Sequence, residues 1–247
     1  MTSVKTKGLV LREYAAGESD KRITILCKGH GRLVTYARGA RKAKSKFLAL
    51  SQMLTYGDYI LADGGNFLSL AQGQIIENFY PIRQDYISLC HAQYVLEICD
   101  KTIPERTPCD ELLRLALKAL QHISKQIIAP RQAVCVFLFR FFLFCGLEPE
   151  MSCCCLCGEA ANNFTVFCDE GMICCDCYKG KDTFYSKMST PLSSVAQKTI
   201  RHILSADINV AFMFRVQDTV LDELALAGQL YWKRHFAATL KIDVIGI

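Results

Sequence analysis

Two cysteine pairs constrain this chain more than any other feature. Cys154 and Cys157 form one Cys-x2-Cys unit, Cys174 and Cys177 form another, and sixteen residues lie between them. A Cys-x2-Cys turn presents two thiolates to one ion, and two such turns at this separation complete a tetrahedral four-sulfur site of the kind zinc prefers. Gly158 follows the first unit, where a tight turn points backbone N–H groups at sulfur. The stretch between the units alternates and turns at Asp169-Glu170-Gly171, the body of a zinc ribbon. The register leaves alternatives open: Cys153 or Cys155 in place of Cys154, and Cys175 in place of Cys174, each at the expense of the two-residue spacing. Cys168 reads as a packed thiol. No histidine falls in this stretch, and four thiolates close the coordination shell, so the expected zinc is structural. Lys179, Lys181 and Lys187 are expected to offset its negative charge.

The chain has 14 cysteines in 247 residues. A disulfide framework is not expected: the first twenty residues lack the basic-then-apolar pattern of a secretory signal, and a chain of this length can bury a core without staples. The most apolar window, residues 133–146, is too short to span a bilayer and contains Arg140, so it reads as a buried helix. The expectation is a soluble, cytoplasmic protein with no membrane partner.

Residues 1–80 read as a β-rich domain. Strand-like runs start at Gly8, at Ile23, and at Arg32 after the turn Gly29-His30-Gly31, and two more flank Asp63-Gly64-Gly65-Asn66. Five strands without a long helical pattern fit an oligonucleotide-binding (OB) type barrel, and an SH3-like barrel fits the count nearly as well. From residue 81 to 247 the apolar residues recur at helical spacing, as at Ile87, Cys90, Tyr94 and Ile98. Asp110 and Asp218 stand where helix N-caps are expected. The fold class is therefore α+β: an N-terminal five-stranded OB-type β-barrel, then an all-α domain with a four-cysteine zinc-ribbon insert at 148–187.

Charge is uneven. Residues 1–80 carry twelve Lys and Arg against six Asp and Glu, and no acid lies between Lys21 and Gly57. A one-signed segment fits a polyanionic partner. Lys21, Arg22, Arg32, Arg38, Arg41, Lys42, Lys44 and Lys46 are the candidate nucleic-acid contacts, most of them on a loop expected to be flexible. Tyr36 and Phe47 flank that loop; core packing is the expected role of both. No glycine-rich phosphate loop, paired carboxylates or Ser/His/Asp set marks an active site, so no enzymatic activity is expected.

The Gly17-Glu18-Ser19-Asp20 stretch, the Gly39-Ala40-Arg41-Lys42 stretch and the two cysteine knuckles, in this order and spacing, resemble the bacterial RecO family. The resemblance covers the chain. It implies a recombination mediator that binds single- and double-stranded DNA, anneals complementary strands, engages the C-terminal tail of single-strand binding protein through its helical domain, and works with RecR to load RecA. The implied ligands of the zinc are Cys154, Cys157, Cys174 and Cys177. Two other readings remain: an RNA- or ribosome-associated zinc-ribbon protein, and a thiol oxidoreductase using one Cys-x2-Cys.

Overall fold

The computed structural model describes residues 3–160, 164–168, 170–179, 189–236 and 240. It divides into two compact units, Met1–Lys125 and Gln126–Ile247. No helix among the described residues is long and apolar enough to cross a membrane.

The first unit is built on strands β1 (Ser3–Ala16), β2 (Asp20–Cys27), β3 (Gly31–Ala37), β4 (Tyr56–Asp63) and β5 (Leu68–Glu77). They close into a barrel of order β1-β2-β3-β5-β4, with a short parallel contact between β3 and β5 as the closing seam. β1 is long enough to pair with β4 through its first half and β2 through its second, with a bulge between Val10 and Arg12. The strand begins five residues before Gly8 because pairing with β4, not apolar content, extends it. Inward positions on alternating strands supply the core: Val10, Ile23, Ile25, Leu33, Leu61 and Leu70 are all buried. The hairpin between β2 and β3 uses Gly29 and Gly31 in the left-handed region, at φ 71° and 67°. Gly31 has a second reason to be glycine, since a Cβ there would lie 1.9 Å from the carbonyl oxygen of Thr107.

Three helices complete this unit: α1 (Tyr80–Gln84), α2 (Tyr86–Thr102) and α3 (Asp110–Ser124). Asp85 caps α2 by accepting the N–H of Ser88. α3 begins with Asp110 rather than being capped by it; the Asp110 carboxylate instead accepts the N–H of Gly29 in the barrel hairpin, 2.6 Å away. Asp218 is likewise the first residue of its helix, with Gln217 at the cap position. Barrel and helices meet at Asp100 of α2. Its buried carboxylate pairs with Arg12 of β1 at 3.0 Å and Arg32 of β3 at 3.5 Å, and Arg32 also donates to Ile103 O.

The second unit centres on α4 (Pro130–Phe144), whose side chains are buried nearly all round. It packs against α6 (Ser194–Ser205) and α7 (Asp218–His235). Phe141 lies 5.9 Å from Trp232, and Phe142 lies 4.9 Å from Tyr231, centroid to centroid. Such burial contributes about 1.5–3 kcal/mol per large side chain. Arg140, the one charge in the apolar run, donates to the carbonyls of Ile203 and Leu204 and so satisfies the C-terminal end of α6. A small sheet, β7-β6-β8, joins this unit: β6 (Phe164–Cys168), β7 (Met172–Cys174) and β8 (Ser189–Pro191). A single helical turn and a bit, α5 (Cys175–Lys179), follows β7.

Replacing Asp100 by Ala leaves Arg12 without its counter-charge and Arg32 with only the exposed Glu105. Because both arginines are partly exposed, the expected loss is about 2–3 kcal/mol, below the cost of breaking a fully buried pair. Asp58→Ala removes a half-exposed pair with Lys7, and its expected cost is below about 1 kcal/mol. Urea unfolding of the whole protein separates the two cases.

Candidate metal centre and nucleic-acid interface

The structure brings Cys154, Cys157, Cys174 and Cys177 together, with all four sulfurs within 4.8 Å of one another. A zinc–sulfur distance near 2.3 Å implies sulfur–sulfur edges of about 3.8 Å in a tetrahedron, and Cys157 and Cys174 are already 4.0 Å apart. The first knuckle turns because Gly158, at φ 74°, donates its N–H to Cys154 O. Its entry is held by Glu150, whose carboxylate accepts the N–H groups of Ser152 and Cys153. The second knuckle is the end of β7 running into α5.

Backbone N–H groups point at the sulfurs: Cys174 N donates to Cys154 Sγ and Cys177 N to Cys174 Sγ, both at 3.4 Å. Burial raises the Cys154 thiol, but the N–H groups of Cys174, Cys157 and Leu156 outweigh it and bring the group down to about 6. Cys177 is held up at about 12 by its sulfur neighbours Cys174 and Cys157. One anionic sulfur thus forms readily and makes the next harder to form. A divalent cation removes that conflict, so the donor set fits a soft metal ion.

The surplus cysteines stand outside this cluster. Cys155 contacts Cys168 at 3.5 Å, Cys175 is the first residue of α5, and Cys153 lies on the knuckle's approach. Cys168 is buried. Lys179 is exposed at the end of α5; Lys181, Lys187 and Asp169 of the expected turn lie outside the described residues.

The basic segment is not a flexible loop. Residues 38–55 fold as successive turns over one end of the barrel, with Ala40, Phe47, Leu50 and Leu54 buried beneath. The two motifs quoted above clasp each other. Asp20 accepts the N–H of Gly39 at 2.7 Å, Arg41 N–H donates to Ser19 O at 2.9 Å, and the Arg41 guanidinium donates to Gly17 O at 2.7 Å. The Gly39 N–H is the main reason the Asp20 carboxyl falls below its ordinary range. Arg38, Arg41, Lys42, Lys44 and Lys46 are exposed on this plug.

The remaining candidates fall elsewhere. Lys21 is paired with Glu13, and Arg32 with Asp100 and Glu105. Arg22 is exposed on β2, in cross-strand register with Tyr14 on β1 and Tyr36 on β3. Phe47 is in the core as expected; Tyr36 is not. Tyr36 faces outward, half-buried, and meets Phe67 edge-on at 5.7 Å. Arg38 lies over the ring of Phe67, 5.9 Å from its centroid. Tyr14 is 51% exposed and Phe67 46%. Sequence reasoning missed Tyr14 and Phe67; only the strand register places them beside Arg22 and Tyr36 in one aromatic and basic band.

A cavity of about 420 Å³ opens beside α3. Its wall is apolar, from Leu113, Leu117 and Tyr56, and Lys28, Arg114 and Lys118 supply positive charge around it, with Asp110 and Glu111 at one end.

Comparison with known proteins is consistent along the chain. Residues 1–79 match the family model for the N-terminal part of recombination protein O, and residues 83–241 match the model for its C-terminal part. A DNA repair protein RecO of Acetivibrio thermocellus is 33% identical over 248 residues, covering 99% of this chain and 97% of its own length. Those of Listeria welshimeri and Bacillus pumilus are 33% and 29% identical, each covering 96% of this chain and 91% of their own. With both halves matched and relatives aligned end to end, the chain belongs to the bacterial RecO family of DNA repair proteins.

Proposed function

We propose that this protein is a non-enzymatic recombination mediator that binds single- and double-stranded DNA, anneals complementary strands and, with RecR, helps load RecA onto DNA coated by single-strand binding protein. The observation that carries the reading is the outward-facing band of Tyr14, Arg22, Tyr36, Phe67 and Arg38 on the barrel, next to a plug bearing Arg41, Lys42, Lys44 and Lys46. Exposed rings stack bases of any sequence, and the cations follow the phosphate backbone. Annealing needs no chemistry from the protein; it needs a surface that neutralises two strands while leaving their pairing edges free. Lys21 and Arg32, already paired with carboxylates, add less to the field of this face than the cations of the plug.

The tail of single-strand binding protein, acidic and ending in apolar residues, is assigned to the cavity beside α3. Leu113 and Leu117 receive the apolar end, and Lys28, Arg114 and Lys118 the acidic groups. The four clustered cysteines hold one structural zinc ion, which ties the two knuckles together and supplies no step of the function. Work on DNA places the protein in the cytoplasm, at the nucleoid.

Replacing Lys42, Lys44 and Lys46 by Ala is expected to lower single-strand affinity and to reduce the slope of log affinity against log salt by about 2, for three phosphate contacts at about 0.7 each. An unchanged slope moves the binding face elsewhere. Tyr36→Ala and Phe67→Ala are expected to cost about 1–3 kcal/mol per base unstacked, with the salt slope unaltered. Competition between RNA and DNA of one sequence distinguishes a mediator from an RNA-associated protein.

The purified protein is expected to contain one zinc, and Cys157→Ser none. Cys177, held protonated near neutral pH, must lose its proton to bind metal. Binding therefore releases protons, and affinity falls as pH falls. Calorimetric heats of zinc binding should depend on the ionisation heat of the buffer; identical heats in two buffers would refute the coupling.

A further inference from the structure

Two cysteines in the ribbon are paired with each other rather than with the four-sulfur cluster. Cys155 and Cys168 bring their sulfurs to 3.5 Å, van der Waals contact. Both are anchored by main-chain bonds to consecutive residues of one hairpin: Cys155 N–H donates to Met172 O at 2.9 Å, and Cys168 N–H to Gly171 O at 2.8 Å. Their spacing is thus set by the β6–β7 hairpin and not by whatever the four clustered sulfurs hold. Cys155 is partly exposed, whereas Cys168 is 1% exposed. Cys153 and Cys175 have no such partner among the described residues.

We propose that Cys155 and Cys168 are a redox-operated cross-link, a modification site separate from the metal centre, which a peroxide closes to a disulfide. Hydrogen peroxide meets Cys155, the more accessible of the two, first. Cys155–SH and H₂O₂ give Cys155–SOH and water as the peroxide O–O bond breaks. The Cys168 sulfur then attacks the Cys155 sulfur, the S–O bond breaks, and a second water leaves with the Cys168 proton. Two electrons pass from the two sulfurs to the peroxide oxygens, and a dithiol reductant reverses the step. Forming the bond draws the sulfurs from contact to about 2.05 Å. The cross-link fastens the first knuckle to β6 without using Cys154, Cys157, Cys174 or Cys177.

The test uses the full-length protein with its metal. It is exposed to a few equivalents of hydrogen peroxide, quenched with catalase, alkylated with N-ethylmaleimide and digested without reductant. A glutamate-specific protease is required, because cleavage after Glu159 separates the two cysteines while no Lys or Arg lies between them. The expected result is a cross-linked peptide pair whose fragments place the bond at Cys155 and Cys168, a loss of two titratable thiols, and metal content unchanged. Cys155→Ser should abolish the cross-link and leave Cys168 alkylated. The proposal is overturned if Cys155 and Cys168 are both recovered alkylated while other cysteines are oxidised. It is also overturned if the bond forms within the four-sulfur cluster with metal release, or if Cys155→Ser still loses two thiols. Metal content of the untreated protein is measured separately, so failure of the metal reading and failure of the cross-link are distinguishable.

Discussion

Asp100 organises the first unit. A single buried carboxylate holds an arginine from β1 and another from β3, and so fixes α2 against two strands of the barrel. Charge taken inward in this way is charge withdrawn from the surface. Of the twelve basic residues in 1–80, Lys7, Arg12, Lys21 and Arg32 are paired with carboxylates, and five of the other eight stand on the plug. The basic excess visible in composition becomes a directional field only because a few carboxylates remove its other components.

The plug shows how the protein presents mobile cations from a rigid base. Its apolar residues seal the barrel end, and the Asp20–Gly39 and Arg41–Gly17 bonds fix its first turn. The lysines then stand exposed on an ordered backbone, with the Lys46 ammonium resting 4.9 Å from the centroid of the Phe47 ring. Binding to a flexible polyanion costs less ordering entropy when one partner is already fixed.

Much of this was legible in the sequence. Glycine and asparagine turns marked the barrel hairpins, helical periodicity marked α2 and α3, an almost unbroken apolar run marked α4, and the two-residue spacing picked out the four clustered cysteines from seven candidates. What was not legible depends on contacts between distant residues. The partner of Arg32 lies 68 positions away, so nothing local distinguishes it from Arg38. Tyr14 and Phe67 join the aromatic band only through pairing across β1, β2, β3 and β5. Residues 37–47 read as a flexible basic loop because their buried residues, Ala40 and Phe47, follow neither a helical nor a strand period, and residues 48–55, read as part of the following strand, fold as turns instead. Asp110 and Asp218 matched the cap signature one residue too late, an error of the size that helix ends always carry.

The ribbon's third strand has a consequence for how the chain could have been assembled. β8 comes from beyond the cysteine segment and pairs with β6, and Phe167 of β6 packs 5.9 Å from Tyr231 of α7. The cysteine segment is therefore woven into the helical unit rather than strung on it like a bead. Excising it would strip β8 of its partner and uncover one flank of α7. A lineage that dispensed with the metal would have to keep the sheet and replace the ion's hold with side-chain packing, changing the fastening while leaving the fabric in place.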